Sequence, residues 1–267
     1  MHRVGVYRSS VLVDIVNYAG IPLLVVYSFS MFVYPWIEDS WSWPYVQAVW
    51  DRWQTLNAGA LAFLASLVAF NVSRYNENLQ RERDFVSAKA FLPSTLSSLM
   101  EYLSHCARIY ESLWGADGHA STPINYPNLP SDYKEVFSNC IRYADPDVGT
   151  YLSDILVQLQ IHEARLRDVV TQSNAAPAHV VDRYTLLAYL YRLGELYALV
   201  GKLFGFARGE EKFEAKPLVW EDFRNAYGVL DLNTHDIHID EKMNLRAFTE
   251  RSIERENGKG NASKDDA

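Results

Sequence analysis

The stretch Ile15–Ile37, IVNYAGIPLLVVYSFSMFVYPWI, decides the fold, together with its counterpart Trp53–Ser73, WQTLNAGALAFLASLVAFNVS. Neither contains Asp, Glu, Lys or Arg. Each is close to the roughly 20 residues that a helix needs to cross about 30 Å of hydrocarbon. Separated only by Glu38–Arg52, the two runs are expected to form a two-helix transmembrane hairpin, with spans at about 15–37 and 53–73. The first run is longer than the apolar core of a signal peptide, and no small-x-small cleavage site follows it. An uncleaved anchor is therefore expected.

The flanking charges orient the pair. Arg3 and Arg8 precede the first run, and Arg74, Arg81, Arg83 and Lys89 follow the second. The connecting segment carries Glu38, Asp39 and Asp51 against Arg52 alone. By the positive-inside rule both termini are expected in the cytoplasm, with the protein in a plasma membrane such as the bacterial inner membrane. Trp36, Trp41, Trp43, Trp50 and Trp53 cluster in and beside the connecting loop, out of seven tryptophans in the chain. Such rings favour the membrane–water boundary, so the loop is expected to lie at the outer leaflet as an interfacial aromatic belt.

Ala58, Ala62, Ala65 and Ala69 recur at 4-3-4 spacing and share one face of the second run. Small side chains let helix backbones approach closely in lipid, where packing drives association. The stripe is expected to pack either the first span of the same chain or a neighbouring copy. No Gly or Pro interrupts Ala60–Leu92, so the second helix is expected to continue past the membrane until Pro93.

The 267 residues carry a formal net charge of −8, which excludes the global basic field used to hold nucleic acid. Mean hydropathy is −0.15, the average of an apolar head and a polar body. The two cysteines, Cys106 and Cys140, form neither a disulfide framework nor a zinc spacing, and suit a reducing compartment.

Beyond Pro93 the periodicity is helical. Leu96, Leu99, Leu103, Cys106, Tyr110 and Leu113 form one seam, and Leu152, Ile155, Leu159, His162, Leu166 and Val169 another. Asp132 and Glu135 have capping-box spacing before a short helix. The segment after Pro177, with Leu186, Leu190, Leu193, Tyr197, Val200 and Phe204, is expected to be the central helix of a bundle. Arg192, Glu195 and Lys202 within it oppose insertion, at about 2.5–3.5 kcal/mol each near a bilayer centre. Trp220, Phe223, Tyr227 and Leu230 predict one more short helix, and Lys242–Glu254 a final charged one. The resulting division is a hairpin with its helical extension over 1–92, a cytoplasmic helical domain over 93–256, and a disordered polar tail over 257–267.

Chemistry-bearing patterns are sparse. His235, His238 and Asp240 have ligand-type side chains but match no zinc spacing, and Ile237 and Ile239 between them are expected to turn inward. His162 reads as a hydrogen-bonded core histidine and Cys106 as a small hydrophobe. No phosphate-binding glycine loop or nucleophile elbow is present. No catalytic residue, cofactor or metal is therefore expected.

The fold class expected is all-α: a transmembrane hairpin continuing into a cytoplasmic helical bundle. The layout resembles small two-span bacterial membrane proteins with a helical cytosolic domain, some of which are membrane-acting effectors in phage defence. That resemblance is one of architecture. It implies a non-enzymatic membrane protein whose helical domain binds a cytosolic protein partner and whose hairpin forms homo-oligomers in the bilayer, perturbing it. The alternatives are a passive tether or scaffold for a cytosolic complex and a membrane-anchored metal-dependent enzyme using His235, His238 and Asp240.

Overall fold

A computed structural model of the chain describes residues 18–38, 40–117, 123–175 and 180–265, with side chains to Glu256. Arg3, Arg8, Asp14, the start of the first apolar run, Asp39, Gly118 and Pro177 lie outside the described residues. The described chain is mostly helical. It divides into two compact units, Met1–Glu77 and Asn78–Ala267.

The first unit holds α1 (Tyr18–Glu38), α2 (Trp43–Arg52) and the first part of α3 (Gln54–Lys89). Contacts between α1 and the later elements run in antiparallel order. The Tyr27 hydroxyl donates to Asn57 Oδ1, Trp50 Nε1 donates to the Met31 carbonyl at 2.9 Å, and the Trp36 and Trp43 rings lie 5.7 Å apart. The segment expected as a plain loop thus contains a helix, opened by Pro44 in its first turn and anchored by the fully buried Val46. Ser40 and Trp41, both at positive φ, reverse the chain ahead of it.

Pro35 explains the Trp50 bond. In a regular helix the Met31 carbonyl accepts from the amide of residue 35, but proline carries no N–H. The turn Phe29–Val33 widens to a π-helix, with Tyr34 N–H bonded to Phe29 O. The Met31 carbonyl left over is taken by the indole from α2.

The second unit holds α4 (Leu92–Gly115), α5 (Tyr133–Tyr143), α6 (Pro146–Ser173), α7 (Arg183–Arg208), α8 (Trp220–Val229), a short β1–β2 pair (His238–Asp240, Met243–Asn244) and α9 (Leu245–Asp265). The expected seams of α4 and α6 are buried throughout. Thirteen of the 26 residues of α7 are buried, more than one helix face supplies. Accordingly α7 touches α4, α6, α8, α9 and β1. Its start is capped by Asp182, which accepts from the Thr185 amide at 3.0 Å. Its end is closed by Gly209 at φ 77°, where Glu210 N–H returns to Gly205 O.

Four features depart from expectation. The division of the chain falls after Glu77, well before Pro93, because the last turns of α3 belong to the second unit. Phe85 and Ala88 pack against its core, and Arg81 donates to the carbonyls of Tyr143 (3.1 Å) and Ala144 (2.8 Å) at the end of α5. Asp132 precedes α5 without a side-chain capping bond. A two-stranded antiparallel pair interrupts the all-helical pattern; Ile237 just ahead of it is buried, while Ile239 within it is 36% exposed. The backbone stays helical to Asp265, through the polar stretch read from composition as a tail, because α9 docks by Leu245, Thr249 and Ser252 and simply runs on.

Helix α8 approaches α7 at Gly194. A Cβ there would collide with the Tyr227 ring, whose hydroxyl pairs with Thr249 Oγ1 of α9 at 2.8 Å. Gly149, by contrast, has its nearest neighbour at an ordinary 3.5 Å.

Two predictions follow from this packing. A fragment Asn78–Glu256 should unfold as one cooperative helical unit by circular dichroism. A fragment from Ser94 lacks Arg81, Phe85 and the fully buried Leu92, and should melt at lower temperature or aggregate. Within the longer fragment, Gly194→Ala should destabilise by about 1–3 kcal/mol through overpacking in denaturant titration, whereas Gly149→Ala should not.

Candidate functional site

The apolar segments of α1 and α3 are long enough to cross a membrane, and their side chains stay uncovered within the unit. Leu23 is 69% exposed, Val26 64%, Leu61 61% and Val68 57%. α3 has no buried residue anywhere along its length. A continuous apolar surface of this kind on two adjacent helices is not what solvent-facing helices present.

Each helix nevertheless has one shielded face. On α1 it comprises Gly20, Leu24, Tyr27, Met31 and Pro35, and on α3 Asn57, Ala60, Leu64 and Leu67. Ala58, Ala62, Ala65 and Ala69 are all exposed. The alanine stripe is therefore rotated away from the intrachain contact.

The tryptophans are not independent. Trp36 lies against Trp41 (5.6 Å) and Trp43 (5.7 Å), and Trp43 against Trp50 (6.0 Å), with Phe32 edge-on to Trp50 (5.8 Å). Trp53 stands apart from these ring contacts, 45% exposed, and Trp41 is the most open at 74%. Trp36 and Trp50 are thus the half-buried members of the cluster, and Trp41, Trp43 and Trp53 are the exposed rings. Sequence reading missed the roles of Trp50 and of the Tyr27–Asn57 pair. The available signal was Pro35, since a proline inside a helix leaves the carbonyl four residues earlier without its donor.

In the second unit the ligand-type cluster near β1 is spent on local structure. His238 Nδ1 lies 3.0 Å from the Asp236 carbonyl, and Asp240 accepts from the Lys242 amide at 2.8 Å. Among the described residues no three His, Cys, Asp or Glu side chains converge as a metal set. Cys106 and Cys140 are free and buried, and burial pushes their thiols up to about 12 and about 11, away from the reactive thiolate. Glu195 of α7 is buried and bonded to Arg192 at 2.6 Å. Burial raises its carboxyl above the ordinary value, against the opposing pull of that guanidinium.

His162 is 6% exposed and sits edge-on to Tyr102 and Tyr110, each 6.1 Å away. Its Nε2 has no hydrogen-bond partner among the described residues, which corrects the expectation of a bonded core histidine. Burial, assisted by nearby Arg165, pushes its pKa down to about 4.

No protein-family model, curated protein or solved structure matches the chain.

The lowered His162 gives a pH signature. The unfolded chain takes up this proton near pH 6.5, whereas the folded chain resists until about pH 4. The stability it contributes is complete above pH 6.5 and is lost as pH falls through that window, by about 3 kcal/mol in all. Denaturant titration of the Asn78–Glu256 fragment at pH 7 and near pH 4.5 should show this loss, and His162→Gln should reduce it.

Proposed function

We infer that α1 and α3 cross a bilayer as an antiparallel hairpin, with both chain ends in the cytoplasm. The observation that carries this reading is the exposure of Leu23, Val26, Leu61 and Val68 on charge-free helices. Removing such surface from water is favourable by about 25 cal/mol per Å² of apolar area, and a bilayer is the medium that covers it on all sides. The chain's charge asymmetry supports the orientation, and Trp41 and Trp53 supply outward rings for an interface.

On this reading the protein is a non-enzymatic membrane protein with a cytoplasmic helical domain that receives a protein partner. Its hairpin self-associates through Ala58, Ala62, Ala65 and Ala69, and membrane perturbation is its output, as in a bacterial defence effector. The outward rotation of the stripe favours a neighbouring copy over α1 as its partner.

Two measurements test this. A reporter fused after Ala267 should be active only as a cytoplasmic reporter, and one inserted between Asp39 and Tyr45 only as an external one; the reverse pattern would overturn the orientation. Ala62→Leu with Ala65→Leu keeps the helix apolar enough to insert. Cross-linking in membranes should then collapse from oligomer to monomer, with any toxicity of overexpression lost at unchanged protein level. A double variant that cross-links and behaves like the parent would refute self-association through this face and leave a passive tether.

A further inference from the structure

A cavity of about 230 Å³ opens between α4, α6 and α7. Its walls include Tyr110, Ile161, His162, Arg165, Tyr189 and Arg192. For scale, a cavity of about 150 Å³ accepts benzene. A second cleft, of about 370 Å³, shares Arg165, Tyr189 and Arg192 with the first and adds Arg255 from α9. The two spaces therefore meet at a pair of guanidinium groups beside one tyrosine ring.

The charges there do not balance internally. Glu163 is bonded to Arg167 at 2.8 Å. Glu195 and Glu256 both face Arg192, at 2.6 and 3.5 Å. Arg165 lies 5.8 Å from the Tyr189 ring centre and forms no ion pair among the described residues. The inner wall carries two polar groups in the same condition. Tyr110 is fully buried and His162 6% exposed, and neither the Tyr110 hydroxyl nor His162 Nε2 has a hydrogen-bond partner among the described residues. Buried polar groups are normally satisfied, and each orphan costs about 1–3 kcal/mol. Both orphan atoms are closed to a molecule the size of water, so what the space offers a ligand is its aromatic walls and the unpaired Arg165.

We propose that this cavity binds a small organic anion, its acidic head at Arg165 and its flat or apolar body between Tyr189, Ile161 and Tyr110. A bare inorganic anion would leave the ring walls uncovered, and a neutral apolar molecule would leave Arg165 unpaired. The carboxylate or phosphate head meets the Arg165 guanidinium by charge-assisted hydrogen bonds. Three helices that meet at the core supply the walls, so occupancy stiffens the contact between α6 and α7.

The test is isothermal titration calorimetry of the full chain in a mild non-ionic detergent. The probes are benzoate, its neutral analogue benzamide, and inorganic phosphate. Benzoate should bind saturably at millimolar concentration with one site, and benzamide and phosphate about tenfold or more weaker. Arg165 is exposed, so Arg165→Gln should leave the far-ultraviolet circular dichroism unchanged while weakening benzoate about tenfold. A non-saturating benzoate signal, equal affinity for phosphate or benzamide, or an Arg165→Gln variant that binds like the parent would each overturn the proposal. Uptake by micelles alone gives the first and last of these results.

Discussion

The backbone of α1 loses one hydrogen bond to Pro35, and the first unit is arranged around its replacement. On the proposed topology the Met31 carbonyl lies in an apolar span, where a missing donor costs far more than it does in water. Trp50 supplies that donor only because α2 folds back across the end of α1. This in turn requires the reversal at Ser40 and Trp41 and the anchoring of Val46. The tryptophan cluster then follows from geometry: once Trp50 reaches Met31, Trp43 and Trp36 lie within ring contact. A residue that breaks helices thereby specifies how two helices are joined.

The second unit obeys a different constraint. Helix α7 buries residues around most of its circumference, so it can exist in water only while α4, α6, α8 and α9 surround it. Glycine at position 194 admits Tyr227, whose hydroxyl ties α8 to α9 through Thr249. Arg192 and Glu195, which argue against burial in lipid, find each other at the edge of this packing.

Much of this was legible in the chain because it is periodic. The seams of α4, α6 and α7 repeat every three to four residues; those of α4 and α6 are buried at every position, and that of α7 at every position but the half-buried Phe204. The exclusion of a third apolar span rested on charge, and the buried, salt-bridged Glu195 accords with it. What escaped was non-periodic or non-local. Helix α2 is short and tryptophan-rich, so its ring content masked its helical start at Pro44. The β pair is five residues in all, too brief for alternation to register. The true edge of the second unit was hidden because Arg81 looks like a solvated charge until the carbonyls of α5 are beside it. The cavity was invisible for the same reason, since Tyr110, Arg165 and Tyr189 lie on three helices with no shared spacing.

Arg81 also has a history within each molecule's synthesis. It is translated 62 residues before Tyr143, the first carbonyl it will hold. At roughly 5–20 residues per second, that leaves about 3–12 s in which the guanidinium has no protein partner. On the proposed topology this is the interval in which the flanking charges of a nascent hairpin are read and its direction is settled. The same side chain, still exposed, then bonds the carbonyls at the end of α5. Its positive charge is thus used twice in sequence, first as an address and afterwards as a clasp, at a position that stays on the surface throughout.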